Sequence, residues 1–288
     1  MRSTLYNDLL LLLAAAVWGF AFVAQRLGME HLGPFTFNGI RFAIGALALL
    51  PFHLLLRRKS PAATLPAFPA RGLILGLVLF AGASLQQVGI VTSTAGKAGF
   101  ITGRYVVIVA LLGRFFGRKT ARSTWLGVVL ALPGLYLLSV RGSLNLASGD
   151  ALIFFGAWFW ALHVLLIGKW SSASSVLGLA IVQYASVSVL SFGVAVTRES
   201  LQVASILAAL GPLLYAGLLS TALAYTLQLL AQRKAPPAHA AVLLSLEAVF
   251  AVIGGIWLLG ETLDARAILG SALMMTGMLA SQLGQREA

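Results

Sequence analysis

The chain has 288 residues, of which 59% are hydrophobic and only 10% are charged, and its mean hydropathy is +0.94. A soluble domain would be roughly 45–50% apolar and about 25% charged, so these values exclude an ordinary globular protein and favour one dissolved in lipid. The net charge of +12 does not indicate nucleic acid as a partner, because the Lys and Arg residues lie in short connections between apolar runs. The absence of cysteine excludes disulfides, Cys-based metal sites and a thiol nucleophile.

Apolar runs follow one another along the whole chain, each close to the roughly 20 residues that a helix needs to cross the hydrocarbon of a bilayer. We interpret the first run as a membrane helix and not as a removed signal, because another apolar run follows it at once. No connection is long or polar enough to form a soluble domain. The predicted fold class is an all-α integral membrane protein with ten transmembrane helices, at residues 6–25, 35–56, 72–91, 97–116, 124–140, 150–168, 176–196, 211–230, 237–259 and 264–282.

The distribution of basic residues predicts how these helices are oriented. The side that holds the N-terminus receives 13 of the 20 Lys and Arg residues, whereas the other side receives five. Cytoplasmic connections of membrane proteins are enriched in Lys and Arg. We therefore expect a multi-pass protein of the bacterial inner membrane with both termini in the cytoplasm.

An internal repeat divides the chain into residues 1–141 and residues 142–288. Five spans in each half means that the two copies enter the membrane in opposite directions, and such inverted repeats place a central substrate cavity between them. The alternative is that the matching glycines only allow close helix packing. An offset of 143 residues relates Gly117 to Gly260, Gly127 to Gly270 and Gly134 to Gly277, and an offset of 142 relates Asp8 to Asp150 and Trp18 to Trp160.

Two stretches resemble family signatures. TSTAGKAGFITG at 92–103 resembles the fourth-helix signature of the drug/metabolite transporter superfamily, EamA family, and PAHAA at 237–241 with LSLEAVF at 244–250 resembles its ninth-helix signature. The layout is similar to that of the YddG-type amino-acid exporters. The resemblance implies ten helices, a central cavity lined mainly by helices 1, 3, 4, 6, 8 and 9, and export of amino acids or related metabolites. Ala248 stands where many relatives have proline, which puts a kink at that point in doubt.

Ionisable residues within the spans are candidates for the site, because burying a charge in hydrocarbon costs at least a few kcal/mol. Arg104 and Glu247 are equivalent by the offset of 143, and we expect them to bind the carboxylate and the ammonium of a zwitterionic substrate. The alternative is that they pair with each other and hold the halves together. Lys97 is expected to reach the headgroups or the cavity mouth, and Arg41 and Arg26 to lie at the interface.

Aromatic and polar side chains supply the rest of the predicted cavity, although ordinary packing or an interfacial belt is the alternative for each aromatic. Three glycines of the fourth span, Gly96, Gly99 and Gly103, would allow a close helix contact or a bend. The other predicted cavity residues are Trp18, Phe22, Gln86, Trp160, His163, Tyr225 and Gln228.

These patterns predict a secondary transporter that exports amino acids, neutral and aromatic ones among them, and related small metabolites by alternating access. A multidrug or other-metabolite exporter of the same superfamily is the main alternative, and a membrane-embedded enzyme or scaffold is a third. No catalytic set, nucleotide-binding loop or metal-ligand spacing is present in the sequence, so we expect no enzymatic activity, cofactor, metal or nucleic-acid partner. The expected partners are a small-molecule substrate and the bilayer, and two halves fused in one chain allow a working monomer. Substrate identity and energy coupling stay open.

Overall fold

The computed structural model describes residues 2–59, 69–93, 95–115, 117, 120–139, 148–173, 175–259 and 264–283. Within these ranges the chain is helical and contains no strand, as the predicted fold class requires. Seven of the described helices are long and apolar enough to cross a membrane. The count of ten spans stays a prediction, since the runs at 97–116, 124–140 and 264–282 form helices that are not among those seven.

The helices follow the predicted runs in order, and we number them accordingly. Two of them, α4 and α9, are each divided into two segments, labelled a and b. A short helix, Val203–Ala208, precedes α8, and α8 contains π-helical turns over Tyr215–Ala224. The bounds are Arg2–Gly28 for α1, Pro34–Lys59 for α2, Pro69–Thr92 for α3, Ala95–Gly103 for α4a, Tyr105–Phe115 for α4b, Arg122–Ser139 for α5, Ser148–Trp170 for α6, Val176–Arg198 for α7, Leu210–Ala231 for α8, Pro237–Leu244 for α9a, Glu247–Leu259 for α9b and Ala265–Leu283 for α10.

The outer surface of the bundle is apolar. Large aliphatic side chains on several helices point away from the protein, among them Leu47 at 64% exposure and Val189 at 70%. Water would make such a surface costly, whereas the hydrocarbon of a bilayer matches it. The helices are therefore arranged as a membrane protein requires, with polar groups directed inward.

Helix ends are tied together by hydrogen bonds to charged side chains. Arg26, in the last turn of α1, donates to the carbonyl oxygens of Ile90 and Val91 at the end of α3. Glu199, which follows α7, accepts from the backbone N–H of Thr36 in the first turn of α2 at 2.7 Å. The ends of α1, α3 and α7 thus lie together with the start of α2, as an alternating up-and-down order of helices requires.

Helices α5 and α10 pack through glycines that the repeat relates. A Cβ atom at Gly127 would lie 2.7 Å from the carbonyl oxygen of Gly277, and one at Gly134 would lie 2.8 Å from that of Gly270. The offset of 143 relates Gly127 to Gly270 and Gly134 to Gly277, so the contacts connect the equivalent positions crosswise. This exchange is the one that a twofold axis between α5 and α10 would produce.

Both α4 and α9 are broken near their middles, and the breaks lie 141 and 142 residues apart, close to the offset of 143. The helix α4 is interrupted at Arg104, and α9 is interrupted at Ser245 and Leu246. The segment α4b packs on α9a, and α4a packs on α9b, which is again a crosswise exchange. The interruption of α9 forms although Ala248 stands where many relatives have proline. Interrupted helices of this kind border the substrate sites of many transporters.

Candidate binding cavity

A cavity with about 540 Å³ of empty space lies beside the breaks in α4 and α9. Six of the seven helices that contribute to it are those that the family resemblance implied, and α2 is the addition. The lining residues are Trp18, Phe22, Gln25, Arg41, Gln86, Thr102, Tyr105, Trp160, His163, Val164, Ser220, Tyr225, Gln228, Leu244 and Glu247.

Aromatic rings around Tyr225 form one wall of the cavity. The ring centres of Tyr225 and Trp18 lie 4.6 Å apart, and Tyr225 stacks on Trp160 at 6.2 Å with 15° between the planes. His163 meets it edge-on at 6.1 Å. Trp18 and Trp160, which the offset of 142 relates, thus lie on the same wall.

A polar network fixes the indole of Trp160. The side-chain oxygen of Gln86 accepts hydrogen bonds from Trp160 Nε1 at 3.0 Å and from Thr102 Oγ1 at 3.3 Å. The side-chain nitrogen of Gln86 donates to Gln25 Oε1 at 3.3 Å. These bonds join α1, α3, α4a and α6. Buried polar groups in a bilayer must be satisfied within the protein, so the network holds four cavity helices in register.

Two buried ionisable side chains, one acidic and one basic, line the cavity. Glu247 is 6% exposed and begins α9b, and Arg41 is 2% exposed. Arg41 Nε donates to Asn38 Oδ1 at 2.9 Å, and its guanidinium carbon lies 4.7 Å from the centre of the Phe42 ring. The expectation that Arg41 lies at the membrane interface is therefore wrong. Its position seven residues into α2 places it about 10 Å along the helix, and its side chain turns toward the interior of the bundle.

Two polar atoms on the cavity wall have no hydrogen-bond partner among the described residues. They are Oε1 of Gln228 and Nδ1 of His163, and both side chains are 1% exposed. The other ring nitrogen of His163 lies 2.8 Å from Gln183 Oε1. An unsatisfied buried polar atom costs about 1–3 kcal/mol, and a polar ligand in the cavity would reduce that cost.

Most of the predicted site residues meet in this cavity. Arg104 is not among the lining residues; its guanidinium carbon lies 6.0 Å from the centre of the Phe154 ring. The side chain of Lys97 lies outside the described residues. Those that the structure brings together are Trp18, Phe22, Gln86, Trp160, His163, Tyr225, Gln228 and Glu247.

The three glycines of α4a differ in their surroundings. A Cβ atom at Gly103 would lie 2.8 Å from Leu135 Cδ1 on α5, so this glycine allows a close approach of the two helices. A Cβ atom at Gly99 would meet nothing within 4 Å, so packing does not require glycine there. The surroundings of Gly96 lie outside the described residues.

Several lining residues were not predicted. Thr102 and Tyr105 flank Arg104, and Ser220 accepts from Trp18 Nε1 through its carbonyl oxygen at 3.1 Å. A usable signal existed for Arg41, because Asn38 and Arg41 are three residues apart and share one face of α2. Val164 and Leu244 could not be predicted as lining residues, since an apolar residue on an apolar helix is as suited to contact with lipid as to a cavity wall.

The EamA-like transporter family matches residues 5–140 and again residues 147–281. The chain belongs to the EamA-like transporter family. An uncharacterized transporter of Archaeoglobus fulgidus is 32% identical over 96% of this chain and 85% of its own length. The uncharacterized inner membrane transporter YedA of Escherichia coli K12 is 26% identical over 93% of this chain and 88% of its own length.

A third EamA relative has a name that includes a substrate. The probable amino-acid metabolite efflux pump of Salmonella typhimurium LT2 is 27% identical over 97% of this chain and 96% of its own length. A solved crystal structure matches 98% of both chains with a TM-score of 0.80 at 16% identity, which shows a shared fold alone. The chain is thus a membrane transporter by family, and the predicted EamA membership is confirmed.

Proposed function

We propose that this EamA protein is a secondary transporter with ten spans that exports amino acids and related small metabolites by alternating access. The two halves, residues 1–141 and 142–288, would form inverted five-helix repeats that move around the central cavity. The two separate family matches support this division, and so do the crosswise glycine contacts between α5 and α10. Paired repeats of opposite orientation are the usual basis of alternating access.

The observation that carries the proposal is the placement of one carboxylate and one guanidinium on an aromatic cavity. Glu247 binds the ammonium of a zwitterion, and Arg41 binds its carboxylate, because charge-assisted hydrogen bonds are the strongest available in a site of this kind. Arg41 thus has the carboxylate-binding role that the sequence analysis predicted for Arg104. The rings around Tyr225 accommodate the side chain of the substrate, and the unpartnered Gln228 Oε1 accepts from an N–H group.

The proposed location is the bacterial inner membrane, with both termini in the cytoplasm. The name of YedA as an inner membrane transporter supports the location. The excess of Lys and Arg on the N-terminal side supports the orientation.

A multidrug exporter is the second candidate, and the same wall favours it. An apolar cation would bind to the faces of Trp18, Trp160 and Tyr225 and pair with Glu247. The two candidates differ in whether the substrate needs a carboxylate. Arg41 would repel a pure cation, whereas it would bind a zwitterion.

Exchange in liposomes that contain the purified protein separates these functions. Vesicles loaded with an unlabelled amino acid are diluted into the labelled compound, and accumulation is measured for the whole set of amino acids and for cationic dyes. The proposal expects saturable exchange of at least one neutral amino acid, with protein-free liposomes as the control. Flux of the dyes together with no exchange of any amino acid would replace the proposal with the multidrug function.

A further inference from the structure

A buried hydrogen-bonded group, here called the Asp8 cluster, joins four helices at the end of the bundle where the chain starts. The Asp8 carboxylate lies 2.8 Å from His239 Nε2, and His239 Nδ1 lies 2.8 Å from Ser281 Oγ. Ser281 also reaches Thr124 Oγ1 at 3.4 Å. All four residues are buried, with at most 4% of their surface exposed. The Asp8 cluster therefore ties α1 to α9a, α10 and α5.

A second buried carboxylate, Asp150, occupies the position equivalent to Asp8 in the other half. Among its contacts is a hydrogen bond that it accepts from the hydroxyl of Ser93, which directly follows α3. Asp150 is 2% exposed and Ser93 is 5% exposed. This pair, here called the Asp150 pair, ties the start of α6 to the end of α3.

The Asp8 cluster and the Asp150 pair lie at opposite ends of the bundle. Arg26, at the end of α1, contacts the end of α3 beside Ser93. Asp8 precedes Arg26 by 18 residues on the same helix, which corresponds to about 27 Å at 1.5 Å per residue. The cavity residues of α1, Trp18 to Gln25, lie between the two levels. Each carboxylate thus stands on one side of the cavity.

We propose that Asp8 and Asp150 are the closing residues of the two ends of the transport path, and that breaking either cluster opens the cavity at that end. The inference rests on the proposed alternating access. A buried carboxylate whose hydrogen bonds separate needs other polar groups or water, because lipid offers it no hydrogen bond. The Asp8 cluster therefore separates only when water enters its end, and the Asp150 pair behaves in the same way at the other end. In the structure both are formed.

Thiol labelling from each side of the membrane tests this proposal. The chain has no cysteine, so Ser220→Cys introduces a single reactive group on the cavity wall. A charged methanethiosulfonate reagent is added to right-side-out and to inside-out membrane vesicles, and the rate of modification is measured. Asp8→Asn is expected to raise the rate of modification about tenfold from the side of the N-terminus and to lower the rate from the other side. A tenfold shift between the two open states needs a change of only about 1.4 kcal/mol in their relative free energy. Asp150→Asn is expected to do the reverse.

The matched control is Asp264→Asn, the same chemical change at the third aspartate of the chain. Asp264 is exposed and accepts from the backbone N–H of Ala267 at the start of α10, so neither labelling rate should change. His239→Gln provides a second disruption of the Asp8 cluster and should reproduce the effect of Asp8→Asn. Thermal melting identifies any variant that fails to fold, and Asp8→Glu then takes the place of Asp8→Asn.

Equal labelling rates for all folded variants would overturn the proposal, and so would a shift of Asp8→Asn and Asp150→Asn toward the same side. The measurement needs no substrate. Opposite shifts without amino-acid exchange would therefore refute the proposed substrate class alone, and exchange without the opposite shifts would refute the role of the two aspartates alone.

Discussion

Alanine at Gly127 is expected to destabilise the protein, because this glycine lies where α5 and α10 meet backbone to backbone. Its added Cβ would stand 2.7 Å from the carbonyl oxygen of Gly277 and 3.1 Å from Ser281 Cβ. A carbonyl oxygen cannot rotate away as a side chain can, so the helices must separate. Overpacking of this kind costs about 1–3 kcal/mol, whereas alanine gains roughly 1 kcal/mol in helix propensity over glycine. The expected balance is a net loss.

Thermal melting of the detergent-solubilised protein, followed by tryptophan fluorescence, measures this loss. Gly193→Ala on α7 is the matched control, because its Cβ would meet nothing within 4 Å and only the gain in propensity remains. We expect the melting temperature to fall for Gly127→Ala and to stay level or rise for Gly193→Ala. The twofold relation adds that Gly134→Ala falls as well, since its Cβ would lie 2.8 Å from the Gly270 oxygen. Melting of Gly127→Ala at or above the temperature of the wild type would refute the reasoning.

Two further predictions concern the site and the topology. Arg41→Gln should reduce amino-acid exchange in liposomes by about tenfold or more, because the substrate carboxylate loses a charge-assisted hydrogen bond. Arg104→Gln should reduce the exchange rate less. If Arg104→Gln has the larger effect, Arg104 and not Arg41 binds the carboxylate. A cysteine at Ser172, between α6 and α7, should react with an impermeant maleimide only in inside-out vesicles, and one at Ser200, between α7 and α8, only in right-side-out vesicles. Reaction of both cysteines from one side would contradict the alternating order of the helices.

The helices could be read from the sequence because lipid leaves a simple signal, which is uninterrupted apolar runs with charges between them. The predicted run at 176–196, for example, lies within the helix Val176–Arg198. Helix breaks were harder to predict. Arg104 interrupts α4 inside an apolar run, and α9 breaks at Ser245 and Leu246 with no proline present. The segments on either side of the two breaks contact each other, and contacts between such distant segments cannot be read from the local sequence.

The candidate site was predictable where polar or aromatic residues recur along one helix face, as with Tyr225 and Gln228. The cationic residue of the candidate site, Arg41, was not predictable. Arg104 and Glu247 are equivalent by the offset of 143, but only Glu247 lines the cavity. A twofold relation brings two equivalent residues together only where they lie close to its axis. Arg41 looked interfacial because it is close to the start of its helix, and only the hydrogen bond to Asn38 and the contact with Phe42 direct it inward.

The most direct test of the account is the rate of amino-acid exchange by Glu247→Gln in liposomes, beside Glu30→Gln as the matched change. Glu247 lines the cavity, whereas Glu30 is exposed in the connection after α1. We predict that Glu247→Gln loses at least about tenfold of the exchange rate, since the ammonium of the substrate loses its charged partner, and that Glu30→Gln keeps the wild-type rate. Exchange at the wild-type rate by a folded Glu247→Gln protein would contradict the claim that this cavity binds the substrate.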